Sequence, residues 1–185
     1  MRITHGGELF GNAARYDKHS VRLGGKLYAK VAADAAASGL PDGARVLDVG
    51  TGPGRIPRRL AAERPAWEIH GVDLEPRMIE YARAHDPEGR VAFTVGDVTS
   101  LPYPDATFDL IVSSLSQHHW ADVDGAIRDL RRVLRPGGRL WIYDARFALK
   151  RALRAAEQNF AGVRKEPAPT TRWPFPLFAR LSARA

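Results

Sequence analysis

The stretch Val46-Leu-Asp-Val-Gly-Thr-Gly-Pro-Gly54 decides the fold of this chain. Its apolar first half is typical of a strand that is buried on both faces, as in a parallel sheet. The three alternating glycines of its second half let a turn bring its backbone close to a ligand. Pro57 then fits the first turn of a helix. The segment predicts a strand, a glycine turn and a helix whose free N–H groups face an anionic part of the ligand.

The spacing of the glycines narrows the class of ligand. A dinucleotide fingerprint has the pattern G-x-G-x-x-G, but the third position counted from Gly50 and Gly52 is Arg55. A phosphate-binding P-loop ends in Gly-Lys-Ser or Gly-Lys-Thr, whereas Gly54 is followed by Arg55 and Ile56. The turn therefore predicts a nucleotide-like ligand that is neither a dinucleotide nor a triphosphate.

Length and composition limit the function classes. With 185 residues, 44% of them hydrophobic, the chain is expected to form one domain with a proper core. The absence of cysteine excludes disulfides, thiolate metal ligands and a cysteine nucleophile. The sequence contains neither an apolar run approaching the roughly 18 residues of a membrane span nor a signal-peptide pattern. We expect a soluble, cytoplasmic protein that does not bind membranes.

The formal net charge of +7 is concentrated in one part of the chain. Residues 146–185 hold nine basic side chains and two acidic ones, whereas residues 1–145 are balanced. Such an excess is more often a solvated basic face than a nucleic-acid site. Nucleic-acid binding is therefore disfavoured, although the basic C-terminal region leaves it open.

Strand and helix patterns alternate along the sequence. The predicted strands are 46–49, 68–74, 91–95, 108–113 and 139–143, followed by 162–167 and 175–182 in the less regular tail. The predicted helices are 20–38 with a possible break at Gly24-Gly25, 55–63, 76 to about 86, 122 or 124 to 134, and 147–160. Fivefold alternation predicts a parallel α/β sheet with right-handed crossovers.

Polar residues follow the predicted strands. Asp48, Asp73 and Asp97 come at or just after the ends of the first three strands, and residues 114–120 follow the fourth. Open α/β sheets bind their ligands beyond the carboxyl ends of the strands, so these residues are expected to meet at one edge. Any single aspartate there is equally well explained as a helix cap or a turn residue.

The chain resembles a known family in five motifs, which occur in the same order as in that family. They are residues 48–54, 71–79, 96–97, 101–109 and 134–138. Together they resemble the small class I S-adenosylmethionine-dependent methyltransferases. The nearest group is the type 11 domain, which includes methyltransferases of ubiquinone and menaquinone biosynthesis. The resemblance implies one Rossmann-like domain over residues 1–185, with a mostly parallel seven-stranded sheet of order 3-2-1-4-5-7-6 flanked by helices. Its parts would be a helical lid (1–39), a cofactor-binding core (40–145) and a C-terminal helix with the last two strands (146–185).

The resemblance also implies S-adenosyl-L-methionine as the methyl donor and S-adenosyl-L-homocysteine as the product. Asp73 would accept hydrogen bonds from the ribose hydroxyls, and Asp97 with the N–H of Val98 would bind the adenine. Leu74 and Met78 would cover the adenine faces, although the helical spacing of Met78, judged alone, favours a core residue over a ligand contact. The implied donor-binding residues are Asp48, Gly50, Thr51, Gly52, Gly54, Asp73, Leu74, Met78, Asp97, Val98 and Ser114.

The methyl acceptor is expected to be a small aromatic, quinone-like or other metabolite. Of the adjacent histidines after the fourth strand, His118 is our candidate general base, although either ring equally suits a structural role. Spacing indicates no third ligand, so no metal site is expected. The candidate acceptor residues are Tyr16, Tyr103, His119, Trp120 and Arg146, and Phe10 is expected to line a lid with Tyr16.

Two other functions remain open from the sequence. The basic tail suggests an RNA or DNA methyltransferase, but residues 114–117 lack the Asp/Asn-Pro-Pro-Tyr/Phe segment of adenine N-methyltransferases. Cytosine C5 chemistry needs a cysteine nucleophile, which the chain lacks. A catalytically silent module that binds the cofactor would keep the same glycines and aspartates. The protein is expected to be a monomer or a homodimer.

Overall fold

The computed structural model describes residues 13–170 and 176–185, together with all side chains in these ranges except those of residues 19–23. Phe10, predicted to line a lid, lies outside the described residues. In the described ranges, no helix is both long and apolar enough to cross a membrane.

Strands and helices alternate in the predicted order. The helices are α1 (Ala13–Ala36), α2 (Arg55–Glu63), α3 (Pro76–Ala84), α4 (Val123–Val133) and α5 (Lys150–Asn159), with a short 3-10 helix at Gln117–His119. The strands are β1 (Arg45–Val49), β2 (Glu68–Asp73), β3 (Val91–Val95), β4 (Phe108–Ser114), β5 (Leu134–Ala145), β6 (Ala161–Pro167) and β7 (Phe178–Arg184).

The seven strands form one sheet of order β3-β2-β1-β4-β5-β7-β6, as predicted. Neighbouring strands from β3 to β5 pair in parallel, and β7 runs antiparallel to β5 and β6. Val49 at the end of β1 pairs with Val72 of β2 and with Ser113 of β4. The carboxyl ends of β1, β2 and β4 therefore meet at one edge, with the residues that follow them.

Apolar side chains are buried on both faces of the sheet. Val46 of β1 belongs to the cluster that includes residues of α1, α2 and α3. Leu47 and Val49 belong to the other cluster, which includes residues of α4 and α5. Each fully buried leucine or valine stabilises the fold by about 1.5 to 3 kcal/mol relative to an exposed one. Because apolar clusters cover both faces of the sheet, β1 is apolar from Val46 to Val49 except at Asp48.

The N-terminal helix corrects one prediction. We expected a helix from 20 to 38 with a possible break at Gly24-Gly25, but α1 is a single helix from Ala13 to Ala36. Gly24 is buried, and a Cβ there would lie 2.9 Å from the Leu115 side chain and 3.0 Å from that of Tyr28. The glycine therefore permits a close approach between α1 and the segment after β4, rather than a break.

The second half of the chain differs from the prediction mainly at element ends. Of the two candidate caps for α4, Asp122 caps the helix, because its Oδ1 accepts a hydrogen bond of 2.9 Å from the N–H of Gly125. The strand β5 begins at Leu134, earlier than predicted, and its pairing with β4 shifts register between Phe108 and Leu110. The last strand begins at Phe178 rather than at residue 175.

Gly54 provides a test of why the turn requires glycine. Both Gly54 and Gly39 have a positive φ. A Cβ added at position 54 would lie 2.6 Å from the Phe93 ring, whereas a Cβ added at position 39 would lie in open space. We expect Gly39→Ala to cost about 1 to 2 kcal/mol from the backbone alone. Gly54→Ala should cost about 1 to 3 kcal/mol more, because it also overpacks the core.

The free energy of unfolding is measured by urea unfolding with circular dichroism as the probe. Equal denaturant slopes for the two variants would confirm that their stabilities can be compared. Equal losses of stability in the two variants would contradict a packing role for Gly54.

Candidate functional site

A cavity of about 1000 Å³ opens at the carboxyl edge of the sheet. Ten of the predicted site residues line it: Tyr16, Gly50, Gly52, Asp73, Leu74, Met78, Asp97, Val98, His119 and Trp120. Its volume lies at the upper end of the roughly 300 to 1,000 Å³ typical of small-molecule sites. The strand-end residues that the sequence analysis singled out are thus largely brought together around one space.

The glycine turn forms one wall of this cavity. The N–H groups of Gly50 and Thr51 both donate to the carbonyl of Val72, at 2.9 and 3.0 Å. Gly50 has φ 67°, and a Cβ there would lie 1.8 Å from Oγ of Ser116. The turn therefore needs glycine both for its left-handed backbone and for its contact with the segment after β4.

Asp73 connects the end of β2 to the turn. Its Oδ2 accepts a hydrogen bond of 2.7 Å from the N–H of Gly52, and its Oδ1 accepts one of 3.0 Å from the N–H of Glu75. Burial raises the pKa of this carboxyl, while the two N–H donors oppose the rise. Each carboxylate oxygen has acceptor capacity beyond one bond, so Asp73 can also bind a ligand in the cavity.

Asp48 lies behind the turn rather than in the large cavity. Its Oδ2 accepts a hydrogen bond of 2.7 Å from Oγ1 of Thr51, whereas its Oδ1 is buried without a partner among the described residues. Burial, reinforced by the negative charge of Asp73, raises the pKa of Asp48 to about 7. Asp48, Thr51 and Ser114 line a second cavity of about 20 Å³, enough for one water molecule.

Asp97 makes a local turn at the cavity wall. Its Oδ1 accepts hydrogen bonds of 2.8 Å from both the N–H and the hydroxyl of Thr99. Met78 is buried, as a core residue would be, and it also lines the cavity. Leu74 is 69% exposed on the same wall.

Gly54 lines neither of these two cavities. It precedes α2 with φ 74° and packs against Phe93 and Ala82. Its place in the motif is thus explained by helix packing, which lets the turn fold tightly against the sheet.

The adjacent histidines differ in environment. Nδ1 of His118 lies 2.9 and 3.0 Å from the two carboxylate oxygens of Asp144, which is 1% exposed on β5. Hydrogen bonding to Asp144 raises the pKa of His118. Burial, together with the neighbouring His118, lowers the pKa of His119, whose ring centroid lies 4.0 Å from that of His118.

Only His119 is among the residues that line the large cavity, so the position predicted for His118 needs correction. The side chain of His118 is 39% exposed and lies beside the cavity, where Asp144 holds its ring. Within residues 13–170 and 176–185, no group of three or more His, Cys, Asp or Glu side chains could hold a metal ion.

Tyr16 and Trp120 lie at the cavity, as the sequence predicted. Burial and the charge of Asp73 raise the pKa of Tyr16. The Trp120 indole N–H donates a hydrogen bond of 3.1 Å to Oγ of Ser116. This bond fixes the segment after β4 against the glycine turn, because Ser116 also contacts Gly50.

An ion pair that the sequence analysis missed anchors Tyr16. Asp17, 8% exposed, accepts hydrogen bonds of 2.5 and 2.7 Å from the guanidinium of Arg55 at the start of α2. It also accepts one of 3.2 Å from the hydroxyl of Tyr81 in α3. The pair connects residues 38 positions apart, so only the tertiary structure reveals it.

Two predicted acceptor residues lie outside the cavity. The Tyr103 ring packs edge-on against Phe108 and His70, with centroid distances of 4.9 and 5.7 Å, as part of the core. Arg146 is exposed beyond the end of β5, and its N–H donates to the carbonyl of Leu177 at 3.0 Å. We predicted these two acceptor residues from their positions after strands. The packing of the loop that follows each strand, however, decides where the side chain lies.

The family model for a methyltransferase domain matches residues 47–142. The chain belongs to this methyltransferase family. The match confirms the resemblance to the type 11 domain, because it spans the glycine turn and the strand ends that surround the cavity.

Two curated methyltransferases illustrate the relatives. The demethylmenaquinone methyltransferase of Deinococcus radiodurans is 41% identical over 98 residues, which are 52% of this chain and 41% of that protein. The 27-O-demethylrifamycin SV methyltransferase of Amycolatopsis mediterranei is 41% identical over 106 residues, covering 55% and 39%. The matched regions thus cover about two fifths of each of these curated relatives.

A solved structure extends the likeness along the chain. The TehB-like SAM-dependent methyltransferase of Corynebacterium glutamicum superposes with a TM-score of 0.72 at 26% identity. The superposition covers 93% of this chain and 98% of that one. The likeness to a known methyltransferase therefore extends well beyond residues 47–142.

Asp48 makes the stability of this methyltransferase domain depend on pH. Its folded pKa of about 7 exceeds the ordinary value of 3.8, so the folded state binds the proton more tightly. The contribution of Asp48 to the free energy of unfolding should fall as pH rises from about 4 to 7. Asp48→Asn abolishes this loss, so its stability relative to the parent should increase over that range, by at most about 4 kcal/mol.

The measurement is urea unfolding of parent and variant at several pH values between 4 and 8. Asp42→Asn, at an exposed loop position, is the matched control. A stability difference between Asp48→Asn and the parent that does not change with pH would contradict the raised pKa.

Proposed function

We propose that this chain binds S-adenosyl-L-methionine in the large cavity and transfers its methyl group to a small-molecule acceptor. The observation that carries the proposal is the convergence of the glycine turn, Asp73 and Asp97 on one space. A donor with an amino acid end, a ribose and an adenine would meet the turn, Asp73 and Asp97 in that order.

The charges around the turn fit such a donor. Asp48 is buried and Asp73 is half-buried, and the charge of Asp73 helps to raise the pKa of Asp48. A cation near them would offset this repulsion. Oδ1 of Asp48 has acceptor capacity to spare, and the small cavity beside it would hold a water molecule that relays the interaction. S-adenosylmethionine carries two positive groups, its amino group and its sulfonium.

The remaining walls would bind the rest of the donor. Asp73 would accept hydrogen bonds from the ribose hydroxyls, each worth about 1.5 to 3 kcal/mol for a charged acceptor. Asp97 would accept from the adenine amine, with Val98 providing a backbone N–H. Leu74 and Met78 would cover the two faces of the ring.

When bound, the donor supplies a methyl group activated by a positive sulfonium. The protein has to place the acceptor atom in line with that methyl and to exclude water. The side chains that would place the acceptor and exclude water are those of Tyr16, Ser116 and His119, which line the cavity. An acceptor lone pair would bond to the methyl carbon, the electrons of the broken carbon–sulfur bond would stay on sulfur, and any proton lost by the acceptor would go to a base of the protein.

His118 is the base that we propose for acceptors that must lose a proton. Asp144 binds Nδ1 of His118, which leaves Nε2 free to accept a proton and stabilises the protonated ring. His119 is the competing choice, because it lines the cavity and its lowered pKa keeps it neutral. The names of the two curated relatives, which refer to a demethylmenaquinone and a demethylrifamycin, support an aromatic or quinone-like acceptor.

Donor binding can be tested at Asp73. Asp73→Asn keeps the size of the side chain but removes the charge that would bind the ribose hydroxyls. We expect a loss of S-adenosylmethionine affinity of about 10- to 150-fold, which corresponds to 1.5 to 3 kcal/mol. Titration calorimetry provides the measurement, with Asp42→Asn as the control. Unchanged affinity in Asp73→Asn would show that this carboxylate does not bind the donor.

The base can be tested with two classes of acceptor. Phenols, catechols and carboxylates would be screened as acceptors by the release of S-adenosylhomocysteine. The rate of methyl transfer to an acceptor with a neutral hydroxyl would then be compared with the rate of transfer to a carboxylate acceptor. His118→Ala should slow transfer to the hydroxyl about 10²- to 10⁴-fold, but barely affect the ionised carboxylate, which needs no base. Asp144→Asn should move the acid limb of the rate profile to lower pH, because it removes the interaction that raises the pKa of His118.

His119→Ala is the matched variant. If it, rather than His118→Ala, abolishes transfer to the hydroxyl, the base is His119. Donor binding without turnover on any acceptor would indicate a silent binding module. Turnover on RNA, with affinity that falls steeply with salt, would indicate a nucleic-acid methyltransferase.

A further inference from the structure

Two large apolar side chains are exposed beyond the end of β5, on two segments that are hydrogen-bonded to each other. Phe147 is 79% exposed and Leu177 is 77% exposed. Arg146, which precedes Phe147, joins their segments, because its backbone N–H donates to the carbonyl of Leu177 at 3.0 Å. The neighbouring residues, Ala145 and Phe178, pair as the last step of the β5–β7 ladder. We call Arg146, Phe147 and Leu177 the β5 lip.

The lip adjoins the candidate base. Asp144, which holds the His118 ring, lies three residues before Phe147, so their Cα atoms are within about 11 Å of each other. The lip therefore lies on the side of the site that β4 and β5 build, away from Asp73 and Asp97.

Apolar side chains that are exposed in a group, rather than singly, mark binding sites. Leu74, another strongly exposed leucine, already has a place in the wall of the donor cavity. Arg146 adds a positive charge to the same segment, and it is exposed and takes part in none of the ion pairs found among the described residues. An apolar pair beside a free guanidinium is complementary to a molecule that has an apolar body and an anionic group.

Resting on the proposed function, we infer that the β5 lip binds the methyl acceptor, and that this acceptor is an apolar molecule carrying a carboxylate or phosphate. Phe147 and Leu177 cover its apolar body, and Arg146 pairs with its anionic group. The lip thereby turns the atom to be methylated towards His118 and the donor cavity. These three residues determine which acceptor is used without contributing to donor binding.

The test uses the full chain saturated with S-adenosylhomocysteine and three probes: decanoate, decanol and acetate. Titration calorimetry with S-adenosylhomocysteine alone comes first, because failure there would contradict the proposed function rather than the lip. We expect decanoate to bind the saturated protein, decanol to bind about tenfold more weakly, and acetate to show no measurable binding. Failure of decanoate to bind would overturn the inference.

Variants then locate the binding. Phe147→Ser with Leu177→Ser should weaken decanoate binding at least tenfold and leave S-adenosylhomocysteine affinity unchanged. Arg146→Ala should remove the preference for decanoate over decanol. Val95→Ser is the matched control, because Val95 is also exposed, at 44%, but lies on β3 outside the lip. Unchanged decanoate binding in the double variant, or an equal loss in Val95→Ser, would overturn the inference.

A second copy of the chain is the competing occupant of the lip. Sedimentation of the parent and the double variant at several concentrations distinguishes the two. We expect the same molecular mass for both. A dimer that the double substitution dissociates would show that the lip is a self-association surface and would overturn the inference.

Discussion

The hydrogen bonds that fix the glycine turn to the end of β2 are the constraint on which the site depends. Two consecutive N–H groups of the turn donate to the carbonyl of Val72, and a third, that of Gly52, donates to Asp73. The backbone has to reverse within a few residues to place all three donors on one neighbouring strand. Left-handed glycines make this possible, and β-carbons there would be strained and, at Gly50, would displace Ser116.

This arrangement concentrates negative charge in a place with little water. Asp73 is held by backbone donors, whereas Asp48 has only the Thr51 hydroxyl and one oxygen without a partner. A buried carboxyl with so few donors tends to keep its proton, which is why the pKa of Asp48 is raised to about 7. The site thus loses stability as pH rises from about 4 to 7, and a cationic ligand would compensate for that loss.

The sequence was sufficient to predict the order of strands and helices, and the family resemblance supplied the order of the sheet. The bounds of α2 and β3 were predicted to the residue, because apolar periodicity and proline or glycine mark both ends. The possible break at Gly24-Gly25 in α1 does not occur, since a glycine in a helix can serve close packing as well as termination. Periodicity along one element carries no information about what approaches it from elsewhere.

The site was predictable to the extent that backbone position determines it. Strand ends placed Asp73 and Asp97 at the cavity, because every parallel strand ends at the same edge. The positions of loop side chains were harder to predict. Tyr103 packs in an aromatic cluster. Of the two histidines, His119 lies at the cavity, whereas His118 is hydrogen-bonded to Asp144. The bond between Asp17 and Arg55 joins residues of two helices, a contact that no local pattern encodes.

The order of the sheet explains how the two halves of the proposed site divide. The strand order reverses between β1 and β4, which is where open α/β sheets form their binding crevice. The ends of β1, β2 and β3 form the donor side with backbone groups and short acidic side chains. The ends of β4 and β5 carry His118 and Asp144. Because β7 runs antiparallel to β5, its beginning lies at this same edge, and Leu177 stands beside Arg146 and Phe147. An antiparallel last strand therefore lets a C-terminal segment reach the edge at which we propose that the acceptor binds, whereas a parallel one would have placed it at the opposite edge.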